Sequence, residues 1–228
     1  EESKRYYPNG NLAAQVLGFV GTDDKGLDGL EMVLDDELKG GIQKELVATD
    51  RKGNAIFGSV LSKYLPDKGK SVTLTIDASI QFIAERALDK AMEDTGAKHA
   101  SVIVMDPKTG EILAMANRPT YDPNHYSQGS EEDFKNIAVT NLYEPGSTFK
   151  PIIASAALAS GKWKLDQVYN DKGSFAANGH VMQNWNGEGY GPVRLIDILK
   201  FSINTGMAEI GTTTGADILS KYVRNYGF

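Results

Sequence analysis

The sequence predicts an α+β fold in which helices pack on an antiparallel sheet, and three stretches carry that expectation. Residues 77–91 open on Asp77, a residue type suited to capping a helix N-terminus. They continue with Ile80, Ile83, Ala84, Ala87, Leu88 and Ala91 at helical spacing, the mark of a helix that buries one face. Two apolar runs, Val102-Ile103-Val104-Met105 and Ile112-Leu113-Ala114-Met115-Ala116, flank Asp106-Pro107-Lys108-Thr109-Gly110-Glu111. The Asp-Pro and Gly there are turn chemistry, so the pair forms a β-hairpin. A third apolar run, Ile152-Ile153-Ala154-Ser155-Ala156-Ala157-Leu158-Ala159, ends at Gly161 and is a helix with a glycine stop.

The remaining elements follow in chain order. Residues 23–26 and 39–41 are loops, residues 30–38 a short helix, and residues 45–57 a hairpin turning at Gly53-Asn54. Residues 66–70 are expected to link a first part, residues 1–65, to a second, residues 66–228. A strand is expected at residues 72–76, a loop at 118–130 and a helix at 131–136. A long loop rich in Gly, Asn and aromatics should span residues 171–191. Short helices are expected at 195–201 and 205–210, and another helix at 217–226.

Composition narrows the function classes. The chain has 228 residues, 41% of them hydrophobic, and a net charge of −6, so no basic footprint for nucleic acid stands out. It has no cysteine, which excludes disulfides, thiol catalysis and thiolate-bound metal. No run of about 18 apolar residues marks a membrane span. His99, His125 and His180 lack the spacing of a zinc site. Gly187-Glu188-Gly189-Tyr190-Gly191 is not a dinucleotide fingerprint, and Gly69-Lys70-Ser71 lacks the earlier glycine of a phosphate loop, so no cofactor is expected.

Catalytic chemistry is signalled by Glu144-Pro145-Gly146-Ser147-Thr148-Phe149-Lys150-Pro151, which feeds the apolar helix. Positions three apart on a helix share a face, with Cβ atoms about 5–6 Å apart. A serine hydroxyl and a lysine amine can meet there and supply a nucleophile and its base without histidine. An ordinary lysine has a pKa of ~10.4, and bringing it to about 7 takes roughly 4–5 kcal/mol. Burial and the positive end of a helix both push in that direction. A bare S-x-x-K also fits a plain serine cap and a solvated lysine, although lysine is a poor choice for a first turn. Downstream, Lys200-Phe201-Ser202-Ile203-Asn204-Thr205-Gly206 contains S-x-N. Ser202 could pass a proton between Lys150 and a leaving amine, and Asn204 offers an amide donor and a carbonyl acceptor. Trp185, Asn186 and Tyr190 either line a substrate cleft or pack their own loop.

These two motifs, in this order, resemble those of class B penicillin-binding proteins, the peptidoglycan D,D-transpeptidases. Arg5-Tyr6-Tyr7-Pro8, Ala13-Ala14-Gln15-Val16-Leu17-Gly18-Phe19-Val20-Gly21 and Gly26-Leu27-Asp28-Gly29-Leu30-Glu31 look like the region ahead of that family's catalytic domain. Leu74-Thr75-Ile76-Asp77 with Ile80-Gln81 looks like its opening. The likeness covers nearly the whole chain and is closest to septal and sporulation-type members.

The resemblance implies a penicillin-binding/serine β-lactamase-like transpeptidase domain, incomplete at its C-terminus, behind part of a pedestal or dimerisation-like domain. Arg5 and Glu31 are either buried ion-pair partners of that pedestal or surface charges. It implies Ser147 as nucleophile, Lys150 as base, Ser202 as relay and Asn204 as substrate holder, with no cofactor and no metal. It implies D-Ala-D-Ala stem peptides as substrates, β-lactam antibiotics as inhibitors, and cell-wall synthesis and division proteins in the membrane as partners, with no nucleic acid. The whole protein would sit on the outer face of a bacterial cell membrane, held by an upstream anchor.

The family's third element, K-[ST]-G, does not follow Asn204. Lys108-Thr109-Gly110 precedes Ser147 inside the hairpin turn and receives no catalytic role. The 228 residues alone are therefore expected not to be a competent transpeptidase. The rival readings are a serine β-lactamase or D,D-carboxypeptidase, a β-lactam sensor without turnover, and an interaction module in residues 1–65.

Overall fold

A computed structural model describes residues 4–40, 45–52, 54–63, 69–177 and 179–228. The architecture is α+β, and its described strands form four two-stranded antiparallel sheets. Chain contacts gather into two units, Glu1–Leu142 and Tyr143–Phe228. No helix of the described residues is long and apolar enough to cross a membrane.

The first unit begins with three short helices, α1 (Ala14–Leu17), α2 (Gly29–Val33) and α3 (Asp35–Leu38). The single helix expected at residues 30–38 is broken at Leu34, whose ψ of 17° leaves the helical basin. Strands β1 (Glu45–Thr49) and β2 (Ala55–Lys63) pair antiparallel, as the sequence led us to expect. Gly53 of their turn, Gly41, and residues 66–68 of the expected linker lie outside the described residues. Arg5 and Glu31 form an ion pair at 2.8 Å, with the Glu31 side chain 12% exposed and that of Arg5 41%.

Helix α4 (Ala78–Thr95) starts where Asp77 accepts hydrogen bonds from the amides of Ser79 and Ile80, and it stops at Gly96, whose φ is 66°. The hairpin β3 (Ala100–Met105) and β4 (Ile112–Arg118) has Val102 opposite Ala116, with Lys108 and Thr109 in its turn. The expected strand at residues 72–76 is not one: it has no ladder. The Thr75 hydroxyl donates to the Ile112 carbonyl of β4, and just beyond the segment the Asp77 amide donates to the Leu113 carbonyl. The loop expected at 118–130 contains a 3₁₀ helix, Pro123–Gln128, entered through Asp122, which accepts from the Asn124 amide. Helices α5 (Glu131–Phe134) and α6 (Ile137–Thr140) follow. Tyr7, Ala14, Phe19 and Tyr121 make a buried cluster, with Tyr126 and Phe134 packed on it.

The second unit holds a 3₁₀ turn, Gly146–Phe149, running into α7 (Lys150–Ala159). Strand β5 (Tyr169–Asp171) pairs with β8 (Gly191–Val193), and between them β6 (Ser174–Ala177) pairs with β7 (His180–Gln183). The long loop expected at 171–191 thus contains the β6–β7 pair and is bounded by β5 and β8, strands of three or four residues that are too short to show an alternating pattern in sequence. Helices α8 (Leu195–Lys200), α9 (Asn204–Thr214) and α10 (Ala216–Asn225) complete it. Its core joins Ala154 and Ala157 of α7, Leu195 and Ile198 of α8, Met207 and Ile210 of α9, and Trp163, Val193 and Ile203. Gly206 lets α9 approach α8: a Cβ there would stand 2.8 Å from Ile198.

Candidate active site

Two local devices in the second unit bring four side chains together. The first is the entry to α7. Gly146 takes φ of 57°, the 3₁₀ turn carries Ser147, and the α-helix proper begins at Lys150. Pro151 in its first turn forfeits an amide that would have had no helical partner. Apolar small residues behind it, Ala154, Ala156 and Ala157, are buried and draw the helix N-terminus inward. Lys150 is 9% exposed. The second device is the turn between α8 and α9. Ser202 has φ of 54°, left-handed backbone that costs a non-glycine residue about 1–3 kcal/mol. Fully buried Ile203 anchors that turn by donating its amide to the Ile198 carbonyl.

The ammonium of Lys150 donates to three neutral acceptors: the Ser202 carbonyl at 2.7 Å, Ser202 Oγ at 3.0 Å and Asn204 Oδ1 at 2.7 Å. Ser202 Oγ in turn lies 2.7 Å from Ser147 Oγ. All four predicted side chains therefore meet, in an order the spacing alone did not give. The Lys150 amide donates to the Ser147 carbonyl, but the two side chains make no direct hydrogen bond; Ser202 Oγ stands between them. Burial pushes the Lys150 amine below its ordinary 10.5.

Three buried polar side chains, Asp171, Asn184 and Thr205, which sequence reasoning missed, underlie this turn. Asn184 Oδ1 accepts from the amides of Asn204 (3.0 Å) and Thr205 (3.3 Å), and from the Thr205 hydroxyl (3.1 Å). Asn184 Nδ2 donates to Asp171 Oδ2 at 2.7 Å, and the Thr205 hydroxyl reaches Asp171 Oδ1 at 2.6 Å. Burial pushes the Asp171 carboxyl up. The hydrogen bonds from Thr205, the Gly173 and Tyr190 amides and Asn184 outweigh burial and hold it below 3.8. Asp171 and Asn184 fall in the stretch expected to be loop; Thr205 adjoins S-x-N, and that adjacency was its only signal. Of the expected cleft residues, Trp185 is 79% exposed, Asn186 accepts from the Glu188 amide, and Tyr190 stacks on Phe201 at 5.7 Å. Lys108 and Thr109 occupy the β3–β4 turn and Gly110 closes it with φ of 79°.

Comparison with known proteins identifies the family of the chain. Residues 100–228 match the penicillin-binding protein transpeptidase domain, and residues 1–74 match the penicillin-binding protein dimerisation domain. The chain is 38% identical over 231 residues to stage V sporulation protein D of Bacillus subtilis (strain 168), covering 100% of this chain and 36% of that protein. It is 32% identical over 227 residues to the peptidoglycan D,D-transpeptidase FtsI of Escherichia coli (strain K12), covering 100% of this chain and 38% of that one. The crystal structure of a peptidoglycan synthetase from Bifidobacterium adolescentis superposes with a TM-score of 0.84 at 27% identity, over 98% of this chain and 40% of that one. The chain thus spans less than two fifths of the length of these two curated relatives. With the transpeptidase model matching more than half of its residues and the dimerisation model ahead of it, the chain belongs to the penicillin-binding protein transpeptidase family.

Proposed function

We propose that the complete protein is a peptidoglycan D,D-transpeptidase working through a Ser147 acyl-enzyme, and that β-lactams acylate the same serine. The observation that carries this reading is the continuous line from Ser147 Oγ to Ser202 Oγ (2.7 Å) to Lys150 Nζ (3.0 Å). A neutral Lys150 takes a proton from Ser202 as Ser202 takes one from Ser147, whose oxygen bonds to the carbonyl carbon of the penultimate D-alanine. The C–N bond then breaks and the same line returns the proton to the departing D-alanine amine. An amine of a second stem peptide attacks the ester, the cross-link forms, and Ser147 recovers its hydrogen. Asn204 holds Lys150 through Oδ1 and presents its carboxamide edge to the donor peptide. Proton transfers of this kind contribute about 10²–10⁴-fold each.

In this reading, residues 1–65 are part of a pedestal and residues 66–228 the N-terminal portion of the catalytic domain. The whole protein works on the outer face of a bacterial membrane with the division or cell-wall machinery. Fluorescent penicillin labelling of the complete protein tests the reading. Ser147→Ala should abolish covalent label while the variant stays folded, and the wild-type adduct should hydrolyse slowly. Label retained by Ser147→Ala removes Ser147 as nucleophile, and rapid hydrolysis favours a β-lactamase.

A further inference from the structure

The relay depends on which end of the Asn204 carboxamide faces Lys150. The two ends have nearly the same shape, so hydrogen bonding alone decides. Asn204 Nδ2 donates to the Gln183 carbonyl at 3.2 Å, which leaves Oδ1 for the lysine. The next residue, Asn184, caps α9 from outside: its Oδ1 receives the amides of Asn204 and Thr205, two first-turn donors without helical partners. The helix's own N-cap residue, Ile203, has no side-chain acceptor to offer. Asn184 faces the same ambiguity of its two ends. Its Nδ2 is turned away from α9 by Asp171 Oδ2 and the Glu188 carbonyl, at 2.7 and 2.8 Å. The Thr205 hydroxyl ties the helix to both. Asp171, Asn184 and Thr205 are 3%, 4% and 0% exposed, so none of the three can reach substrate through solvent.

We propose that Asp171, Asn184 and Thr205 are positioning residues of the proton relay. They fix the first turn of α9, and through it the orientation of Asn204 Oδ1 toward Lys150. This rests on the reading of Lys150 as the base. The geometry required is fine: misplacement by about 1 Å can cost 10²-fold in rate.

The test uses the complete protein, with penicillin acylation separated into a non-covalent dissociation constant and an acylation rate constant. Thr205→Val keeps the side-chain shape and deletes the hydroxyl. It should lower the acylation rate constant by about ten- to a hundredfold and leave the dissociation constant unchanged. Thr205→Ser, which keeps the hydroxyl, should recover most of the loss. Asp171→Asn should reproduce the Thr205→Val effect, and it carries the test if Thr205→Val does not fold. A folded Thr205→Val or Asp171→Asn that acylates at the wild-type rate overturns the proposal, as does a Thr205→Ser no faster than Thr205→Val. Ser147→Ala run alongside separates the two levels. Its retained label ends the transpeptidase reading itself, whereas its loss of label beside a full-rate Thr205→Val ends only the positioning role.

Discussion

At the scale of single residues, Lys150 poses the sharpest electrostatic question. It is 9% exposed, all three of its acceptors are neutral, and burial lowers its pKa from 10.5. The folded state therefore binds this proton less tightly than the unfolded chain does. Between the folded pKa and about 10.4, the unfolded chain carries the extra proton, so this residue's contribution to stability rises with pH across that window. The catalytic consequence has the same sign. The amine is a base only when neutral, so penicillin acylation by the complete protein should climb with pH along a limb belonging to Lys150. Lys150→Arg keeps the charge at every accessible pH and should lose about 10²–10⁴-fold in acylation. Second-order acylation constants measured across pH for both proteins check this. A flat wild-type profile, or an arginine variant of wild-type speed, would remove the base role. The partners of Lys150 were legible in sequence because S-x-x-K and S-x-N are local patterns. That Ser202 stands between Ser147 and Lys150 was not, since it follows from the left-handed backbone at Ser202.

At the scale of elements, α4 shows how periodicity can find a helix and still misplace its buried face. Its expected inward residues included Ile83, which is 66% exposed, while Gln81 is fully buried. The reason is the outer edge of β4. The Gln81 amide accepts from the Met115 amide at 2.8 Å and donates to the Met115 carbonyl at 2.9 Å, standing in for a neighbouring strand. Its Nδ-equivalent nitrogen, Nε2, also reaches buried Glu85 at 2.8 Å, and Glu85 in turn receives the Ala13 amide. A hydrophobicity count scores such polar residues as solvent-facing, because it cannot see the backbone groups they satisfy. Gln81→Leu is close in volume and removes the three bonds that the Gln81 carboxamide makes, to the Met115 amide, the Met115 carbonyl and Glu85. It should destabilise the protein by about 1–3 kcal/mol for each buried group left unpaired. Urea unfolding followed by circular dichroism measures this, and an unchanged midpoint would mean that water replaces the carboxamide. The same blindness explains residues 171–191. Asn184 and Asp171 matter through partners 13 to 34 residues away, and no local pattern advertises them.

At the scale of the whole molecule, charge and uncovered apolar surface act against each other. The chain carries 30 acidic and 24 basic side chains and reaches zero net charge near pH 5.2. Large apolar side chains stand in solvent, among them Phe82 (53% exposed) and Ile83 (66%) on α4, Met105 (53%) on β3, and Leu142 (101%) in the connection after α6. At neutral pH the net charge of −6 keeps copies apart. As the pH falls toward 5.2 that repulsion vanishes while the apolar contacts lose nothing, so association should grow. Carboxylates held below their ordinary range, Asp89 by Arg118 and Asp171 by its hydrogen-bond donors, stay ionised through this interval. Association near pH 5 should therefore precede acid unfolding, since stability tied to a lowered carboxylate is lost only as pH falls through its folded pKa. Light scattering and circular dichroism on the 228-residue chain, taken together from pH 7.5 downward, check the order of events. The expected result is a rise in particle size near pH 5 with the helical signal intact. A size that grows only once that signal collapses would show that unfolding, and not loss of charge, drives the molecules together.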